Sequence, residues 1–422
     1  MKIPDTTQFV LDKLHASGYE AYLVGGCIRD ILLGLNPKDW DISTSATPSE
    51  IKEVFSDHRL VDTGYNYGTV AVLVNQELIE ITTFRIDGAY TDGRRPDYVT
   101  YTRNLTEDLA RRDFSINACA ASDDVLIDPF GGQADIAHRL IRCVGDPNKR
   151  FEEDALRILR GIRFAAQLDF DLHPDTFDAM KNKSYLLSKI SVERIQSEFD
   201  QIISAARCGR GINLCLDTEI FPYILGGNRA DPIPGGNRAD SITAAEKEKL
   251  RKLSDYIDSI NDSKCRLALI YLCFDEDKAV NAIKSMPYDK KTESLLISTR
   301  RLFLQFINID HIKDMKAFIS QYGYETYEFL DSVSKHYHRA FGMKDRNLDF
   351  RTNAYHSILT NKEPVLLKDL AVNGSDLKEA GMEEGREIGR ILHLLLDLVH
   401  QAPEKNEKTV LLKIAAENYR IR

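Results

Sequence analysis

The spacing of apolar residues changes character once along this chain, near Asn148, and that change limits what it can fold into. Before it, short runs of period two alternate with short helical stretches. Residues 6–16 after Asp5 read as an amphipathic helix, and Glu20–Val24 as a strand. A helix is expected to start at Gly25-Gly26 and stop at Gly34, with a strand at Lys38–Ile42. Thr47-Pro48-Ser49-Glu50 combines a capping box with proline at the first helical position, so the following IKEVF is helical. Tyr67–Val74 and Glu77–Phe84 predict a hairpin across Asn75-Gln76. After Asn148 the pattern is helical throughout. KRFEEDALRILRGIRFAAQL reads as one long helix and SVERIQSEFDQIISAA as another. GREIGRILHLLLDLVHQA carries a leucine stripe whose plain reading is core. The expected class is α+β, an α/β head followed by an all-helical remainder.

At 422 residues the chain is too long for one core and calls for several domains. With 43% hydrophobic and 29% charged residues it is neither disordered nor fibrous. No apolar run approaches the roughly 18 residues of a membrane helix, and the N-terminal stretch lacks the pattern of a secretory or transit segment. The seven cysteines are scattered and form no CxxC pair, which fits reduced thiols in a cytoplasmic protein. Without HExxH or Cys/His ligand spacing, any metal must be held by oxygen. A tandem nonapeptide, GGNRADPIP then GGNRADSIT at 226–243, reads as a duplicated surface loop. Net charge is −9, which argues against a generic basic coat for nucleic acid. The charge is uneven, however. Residues 1–84 hold 6 basic against 12 acidic groups, whereas residues 85–163 hold 13 against 14, and twelve of those bases are Arg.

Asp39 and Asp41 flank Trp40 on the expected strand, so their carboxylates share one side while Trp40 points to the other. Two such carboxylates repel unless a cation lies between them, and hard paired oxygens suit Mg²⁺ with substrate phosphates. In isolation the pattern is weak, and an exposed strand face is its more ordinary explanation. Its context changes that. Tyr22-Leu23-Val24-Gly25-Gly26-Cys27-Ile28-Arg29-Asp30 runs from strand through a Gly-Gly turn into a helix. Backbone N–H groups at Gly26 and a forked donor at Arg29 would meet a phosphate there. The spacing is neither GxGxxG nor GxxxxGK[ST], so no dinucleotide fold or P-loop is indicated. A phosphate cradle thirteen residues from a carboxylate pair is a layout suited to nucleotidyl transfer.

GGCIRDILLGLNPKDWDISTSATP resembles the signature of the class II tRNA nucleotidyltransferase and poly(A) polymerase family. Further segments match in the family's order: Arg111-Arg112-Asp113-Phe114-Ser115-Ile116-Asn117-Ala118, Asp128-Pro129-Phe130-Gly131-Gly132, Glu153-Asp154-Ala155-Leu156-Arg157 and Ser191-Val192-Glu193-Arg194-Ile195. AVNGSDLKEAG resembles the tail of the family's bacterial CCA-adding branch.

The resemblance implies a polymerase-beta-like head at 1–145, a base-reading neck at 146–205, and a body at 206–345 and tail at 346–422 that hold tRNA. It implies Asp39 and Asp41 as catalytic and metal-binding residues for two Mg²⁺ ions. Gly26, Arg29, Arg112, Asp113, Asp154, Arg157, Arg160 and Arg163 would bind the nucleotide. As a bare pattern Asp154 and Arg157 could form an i,i+3 ion pair. In the family the equivalent pair reads the base: the carboxylate accepts from the amine of C or A, and the guanidinium donates to the neighbouring ring acceptor. Arg160 and Arg163 continue a three-residue spacing that rotates by roughly 60° per step, winding around the helix. Glu80 is a third acid with an equally plain reading as an outward strand residue. The segment Asp87–Pro96 resembles the mobile loop of enzymes that switch from C to A.

The function implied is template-independent repair of the tRNA 3′ CCA with CTP and ATP, by a monomer that contacts the acceptor and T arms. Poly(A) polymerase, a non-catalytic tRNA-binding relative and small-molecule nucleotidylation remain alternatives at this point.

Overall fold

The computed structural model describes residues 3–64, 67–90, 96–122, 125–225 and 242–419. Residues 226–241 of the tandem repeat and 91–95 of the Asp87–Pro96 segment lie outside the described residues. The chain divides into two compact units, Met1–Ser254 with Ser285–Pro287, and Asp255–Lys284 with Tyr288–Arg422.

The first unit opens with helix α1 (Asp5–Ala16), strand β1 (Ala21–Val24), helix α2 (Gly26–Leu32), strand β2 (Asp41–Thr44) and helix α3 (Pro48–Val54). Strands β3 (Arg59–Gly64), β4 (Thr69–Val74), β5 (Glu77–Thr83), β6 (Arg85–Asp87) and β7 (Val99–Tyr101) follow, then helix α4 (Leu105–Ala110) and strands β8 (Ala120–Ser122) and β9 (Val125–Ile127). The main sheet runs β3-β4-β5-β2-β1-β8-β9, and β6 pairs with β7 outside it. Neighbouring strands are antiparallel except β2 and β5, which are parallel.

Local chemistry accounts for the turns. Thr47 accepts from Glu50 N while the Glu50 carboxylate accepts from Thr47 N at 2.6 Å, the reciprocal box expected at α3. Asn75 and Gln76 both adopt positive φ, the backbone of a tight two-residue hairpin between β4 and β5. Two expectations shift by a few residues. Pro4, not Asp5, occupies the cap position of α1, and Asp5 lies in its first turn. Strand β2 starts at Asp41, so Asp39 precedes it. One face of the sheet packs Val10, Leu14, Leu23, Ile42, Ile51, Val72 and Ile81 into a core, and half-buried Trp40 leans on it. The other face covers Val24, Phe84 and Ala120 with Leu105 and Leu109 of α4.

Beyond the sheet come α5 (Gly132–Ala137), α6 (Pro147–Glu153), α7 (Leu156–Leu168), α8 (Pro174–Lys183), α9 (Val192–Ser204) and α10 (Cys208–Asp217). The expected single helix through KRFEEDALRILRGIRFAAQL is thus two, broken at Asp154, whose φ of −146° and ψ of 103° are extended. Helix α7 packs against α9 and α10, with Gly211 bringing α10 so close that a Cβ there would meet Ile202 at 2.5 Å.

The second unit is helical among its described residues. Its C-terminal part is built on Arg386–Gln401, where Ile391, Leu395, Leu396 and Val399 pack with Val372, Leu377, Leu411 and Ala415. The leucine stripe is core. Elsewhere in this unit Arg351, fully buried, pairs with the Asp345 carboxylate and donates to Ser334 Oγ at 3.2 Å.

Candidate active site

Strand register assembles the centre of the site. Antiparallel pairing sets Val24 opposite Asp41, so the Gly25-Gly26 turn that follows β1 lies beside the start of β2. Gly25 has φ +80°, and a Cβ on it would stand 3.0 Å from Arg112 Nη1 and 3.6 Å from Asp41 Oδ2. The backbone is therefore bare where a ligand would approach the carboxylates. The glycine that the turn requires is Gly25, although its neighbour Gly26 also lines the site.

A cleft of about 1010 Å³ in the first unit collects the residues singled out in the sequence. Asp39 and Asp41 line it beside Gly26 and Arg29. Arg112 and Asp113 enter from the segment after α4. Asp154 enters from the helix break, and Arg157, Arg160 and Arg163 from α7. All ten meet there. Glu80 does not line this cleft; it lines an adjoining groove, next to Asp41 through the parallel β2–β5 register that sets Ile42 opposite Ile81.

Solvent reaches Asp41 along the cleft, but the surrounding walls desolvate its carboxyl and raise its pKa; Arg112 opposes that shift and the like charge of Asp39 adds to it. Arg112 is enclosed, which lowers its pKa, and its Nε has no hydrogen-bond partner. Its nearest carboxylates are Asp108 at 3.6 Å and Asp41. Asp113 is 8% exposed. Burial alone would raise its pKa, but the Arg160 charge, bonded at 2.8 Å, with Arg157 and Asn117 behind it, holds the carboxyl below its ordinary range.

Asp154 is not partnered by Arg157. Its Oδ1 accepts from Leu156 N at 3.0 Å, capping α7, and its Oδ2 accepts from Arg194 of α9 at 2.6 Å. Arg157 donates instead to Glu153 at 2.5 Å and to the carbonyls of Arg150 and Arg111, both at 3.1 Å. The i,i+3 ion pair is absent. Arg163 donates to Gln201 at 2.8 Å and lies 3.3 Å from Glu198, whose own pKa is raised by burial against the pull of Arg163 and Arg160.

The arginine stripe winds, yet all three side chains reach the cleft. Phe164 is one reason: Arg29, Arg160 and Arg163 place their guanidinium carbons 5.3, 5.5 and 4.5 Å from its ring centroid. Sequence reasoning did not assign sites to Arg194, Asn117, Glu198 or Phe164. Arg194 and Asn117 sit inside motifs already noted, SVERI and RRDFSINA, which was the available signal. Among the described residues no group of three or more His, Cys, Asp or Glu side chains is close enough to hold a metal.

Residues 21–142 match the "Poly A polymerase head domain" and residues 169–227 the "Probable RNA and SrmB- binding site of polymerase A". The chain is 37% identical over 412 residues to the CCA-adding enzyme of Ligilactobacillus salivarius, spanning 96% of this chain and 94% of that protein. It is 35% identical over 410 residues to the CCA-adding enzyme of Limosilactobacillus fermentum, spanning 97% and 95%. Among solved structures, the Bacillus stearothermophilus CCA-adding enzyme in complex with CTP matches with a TM-score of 0.75 and 29% identity over 100% of this chain and 99% of that one. The Thermotoga maritima CCA-adding enzyme complexed with tRNA shares the fold, with a TM-score of 0.69 at 20% identity over 97% and 94%. With near full-length identity to curated relatives, and a head that carries the family's motifs on one cleft, this chain belongs to the family of CCA-adding enzymes.

Proposed function

We propose that this protein builds and repairs the 3′-terminal CCA of tRNA, transferring two C residues and then A from CTP and ATP without a nucleic-acid template. The observation that carries the reading is the convergence of ten residues, from three of the sequence motifs and the helix that follows them, on one cleft that holds both a carboxylate pair and seven arginines. Asp39 and Asp41 fit a divalent ion, because Asp41 is desolvated next to a like charge and cation binding relieves both costs. They would hold two Mg²⁺ ions, whose charge activates the attacking hydroxyl and screens the triphosphate. Substrate oxygens and water would complete the coordination.

The chain's own groups do the rest. Gly25 leaves the backbone open to a phosphate, and Arg29, Arg112, Arg160 and Arg163 neutralise the triphosphate and hold it in place. Asp154, fixed by Leu156 N and Arg194, accepts from the exocyclic amine of C or A. U and G present a carbonyl there and are repelled. Arg157 has committed three N–H bonds to protein acceptors, which sets its plane and leaves the others for the base. Asp113 is held ionised by Arg160 and can accept from ribose hydroxyls. Residues 146–205 serve as the base-reading neck, while 206–345 and 346–422 hold the acceptor and T arms of tRNA by shape. The enzyme acts as a cytoplasmic monomer.

The test is incubation with tRNA lacking its 3′ end, Mg²⁺, and CTP and ATP separately and together. Two C residues from CTP alone, and a following A only when both are present, support the reading. Long A tails from ATP alone would make the protein a poly(A) polymerase; tRNA binding without incorporation would make it a non-catalytic relative. Asp41→Ala abolishes transfer with an unchanged circular dichroism spectrum, and an active variant would overturn the metal assignment.

A further inference from the structure

Glu198 of α9 lies behind the cleft and does not line it, yet it reaches two of the arginines that do. Arg194, Glu198 and Gln201 sit at i, i+4 and i+7 on α9, one stripe turned toward α7. Arg194 donates to Asp154 at 2.6 Å, Gln201 accepts from Arg163 at 2.8 Å, and Glu198 stands between them. It is 6% exposed, 3.3 Å from Arg163 Nε and 3.9 Å from Arg160 Nη1. Among the described residues it is the only carboxylate paired with Arg163.

This contact differs in kind from its neighbours. Arg160 donates an aligned bond to Asp113 at 2.8 Å, and Arg194 one to Asp154. Glu198 Oε2 and Arg163 Nε face each other at 3.3 Å, but each is buried without a hydrogen-bond partner. The pair is held by charge and not by an aligned N–H···O bond, so a better acceptor displaces it at little cost. A phosphate oxygen is such an acceptor. Burial works against the ionised form of Glu198, and Arg163, Arg160 and Arg194 support it against the like charge of Asp113. Nucleotidyl transfer brings two anions to the cleft in turn: the triphosphate enters, and pyrophosphate must leave before the next nucleotide binds. Seven arginines favour entry and oppose departure. A fixed negative charge behind Arg160 and Arg163 lowers the attraction for both anions, and it gives the two guanidinium groups a partner once pyrophosphate moves off.

We propose that Glu198 is a positioning residue for product release: it competes with phosphate oxygens for Arg160 and Arg163, and so sets how fast pyrophosphate leaves between additions. The inference rests on the nucleotidyl-transfer reading above and adds a residue that acts through the arginines without touching substrate.

The experiment measures C addition to tRNA lacking CCA, and A addition to tRNA ending in CC, by the full chain with inorganic pyrophosphate as the competing probe. Glu198→Gln keeps the size of the side chain and removes its charge. It lowers the inhibition constant of pyrophosphate and the KM for CTP and for ATP about tenfold, and kcat falls as release slows. A purely structural loss would raise these constants instead. The CTP/UTP preference stays as in the wild type, because the Arg194–Asp154 pair is untouched. Glu198→Asp retains the charge and keeps all three constants within about threefold of the wild type. Gln201→Glu, beside Arg163 and only half-buried, adds a second carboxylate there and raises all three; it tests the same competition in a chain whose Glu198 is intact. A folded E198Q enzyme with unchanged or weaker pyrophosphate inhibition, a CTP/UTP preference that shifts with it, or a Gln201→Glu enzyme with tighter inhibition overturns the assignment. A wild-type protein that adds no C overturns the functional reading and this inference with it.

Discussion

Replacing Arg194 with Met removes the ion pair that pins Asp154 while keeping side-chain length. The lost bond is 2.6 Å long, between side chains 20% and 14% exposed. A hydrogen bond to a charged group contributes about 1.5 to 3 kcal/mol, and partial exposure places this one at the lower end. Asp154 keeps its bond from Leu156 N, so it is loosened and not released. About 1.5 kcal/mol of positional free energy corresponds to roughly tenfold in rate. Single-turnover addition of C to tRNA lacking CCA should therefore slow about tenfold in R194M, and the preference for CTP over UTP should narrow by about the same factor. Arg194→Lys recovers part of both, because an ammonium restores the charge but not the planar fork. Thermal melting separates a positional effect from unfolding. An R194M enzyme that is folded, and that keeps the wild-type CTP/UTP ratio, refutes the idea that Arg194 sets the base-reading carboxylate.

Gly25→Ala forces a Cβ into positive φ and to 3.0 Å from Arg112, so melting falls by the equivalent of about 1 to 3 kcal/mol and C addition is lost more steeply than stability. Asp200 of α9 has a half-buried carboxyl with one oxygen unpartnered, and burial pushes its pKa up to about 6 against the effect of Gln196. A raised carboxyl pKa means the folded state binds the proton more tightly, so this residue's contribution worsens as pH rises from about 4 to about 6. Asp200→Asn should raise the melting temperature at pH 8 and lose that advantage at pH 4; equal effects at both pH values would contradict the burial argument. In the second unit Asp345→Ala leaves buried Arg351 without its carboxylate, a loss of about 3 to 5 kcal/mol by denaturant unfolding. Burial opposes ionisation of Asp345, but Arg351 outweighs it and holds the pKa low, so the wild-type pair weakens only as pH falls through that depressed value.

Local signals carried much of the head. The Thr47 box, the Asn75-Gln76 turn and the Gly-Gly break after β1 each depend on residues within four positions, and each appears where the sequence places it. The break at Asp154 was not legible for the opposite reason. Glu152 to Arg157 contains no glycine or proline, and every position but Asp154 favours helix. What stops the helix is an arginine forty residues away, joined by a cap bond that a continuous helix would not leave open. The same distance effect explains the arginine stripe. Rotation along α7 does carry successive arginines around its axis, but Phe164, Asp113 and Glu198 draw the side chains to one side, and only packing brings those partners together.

The broken helix also makes length a variable under strict control. Chain length elsewhere has room to change, since 226–243 already holds two copies of one nonapeptide. Between Asp154 and Arg163 there is none. One residue added within the turn before α7 would swing every later side chain by about 100° around the helix axis. Asp154, tied to α9, would stay behind. The guanidinium groups of Arg157, Arg160 and Arg163 would leave the cleft together, so an insertion there costs base choice and phosphate neutralisation in a single event.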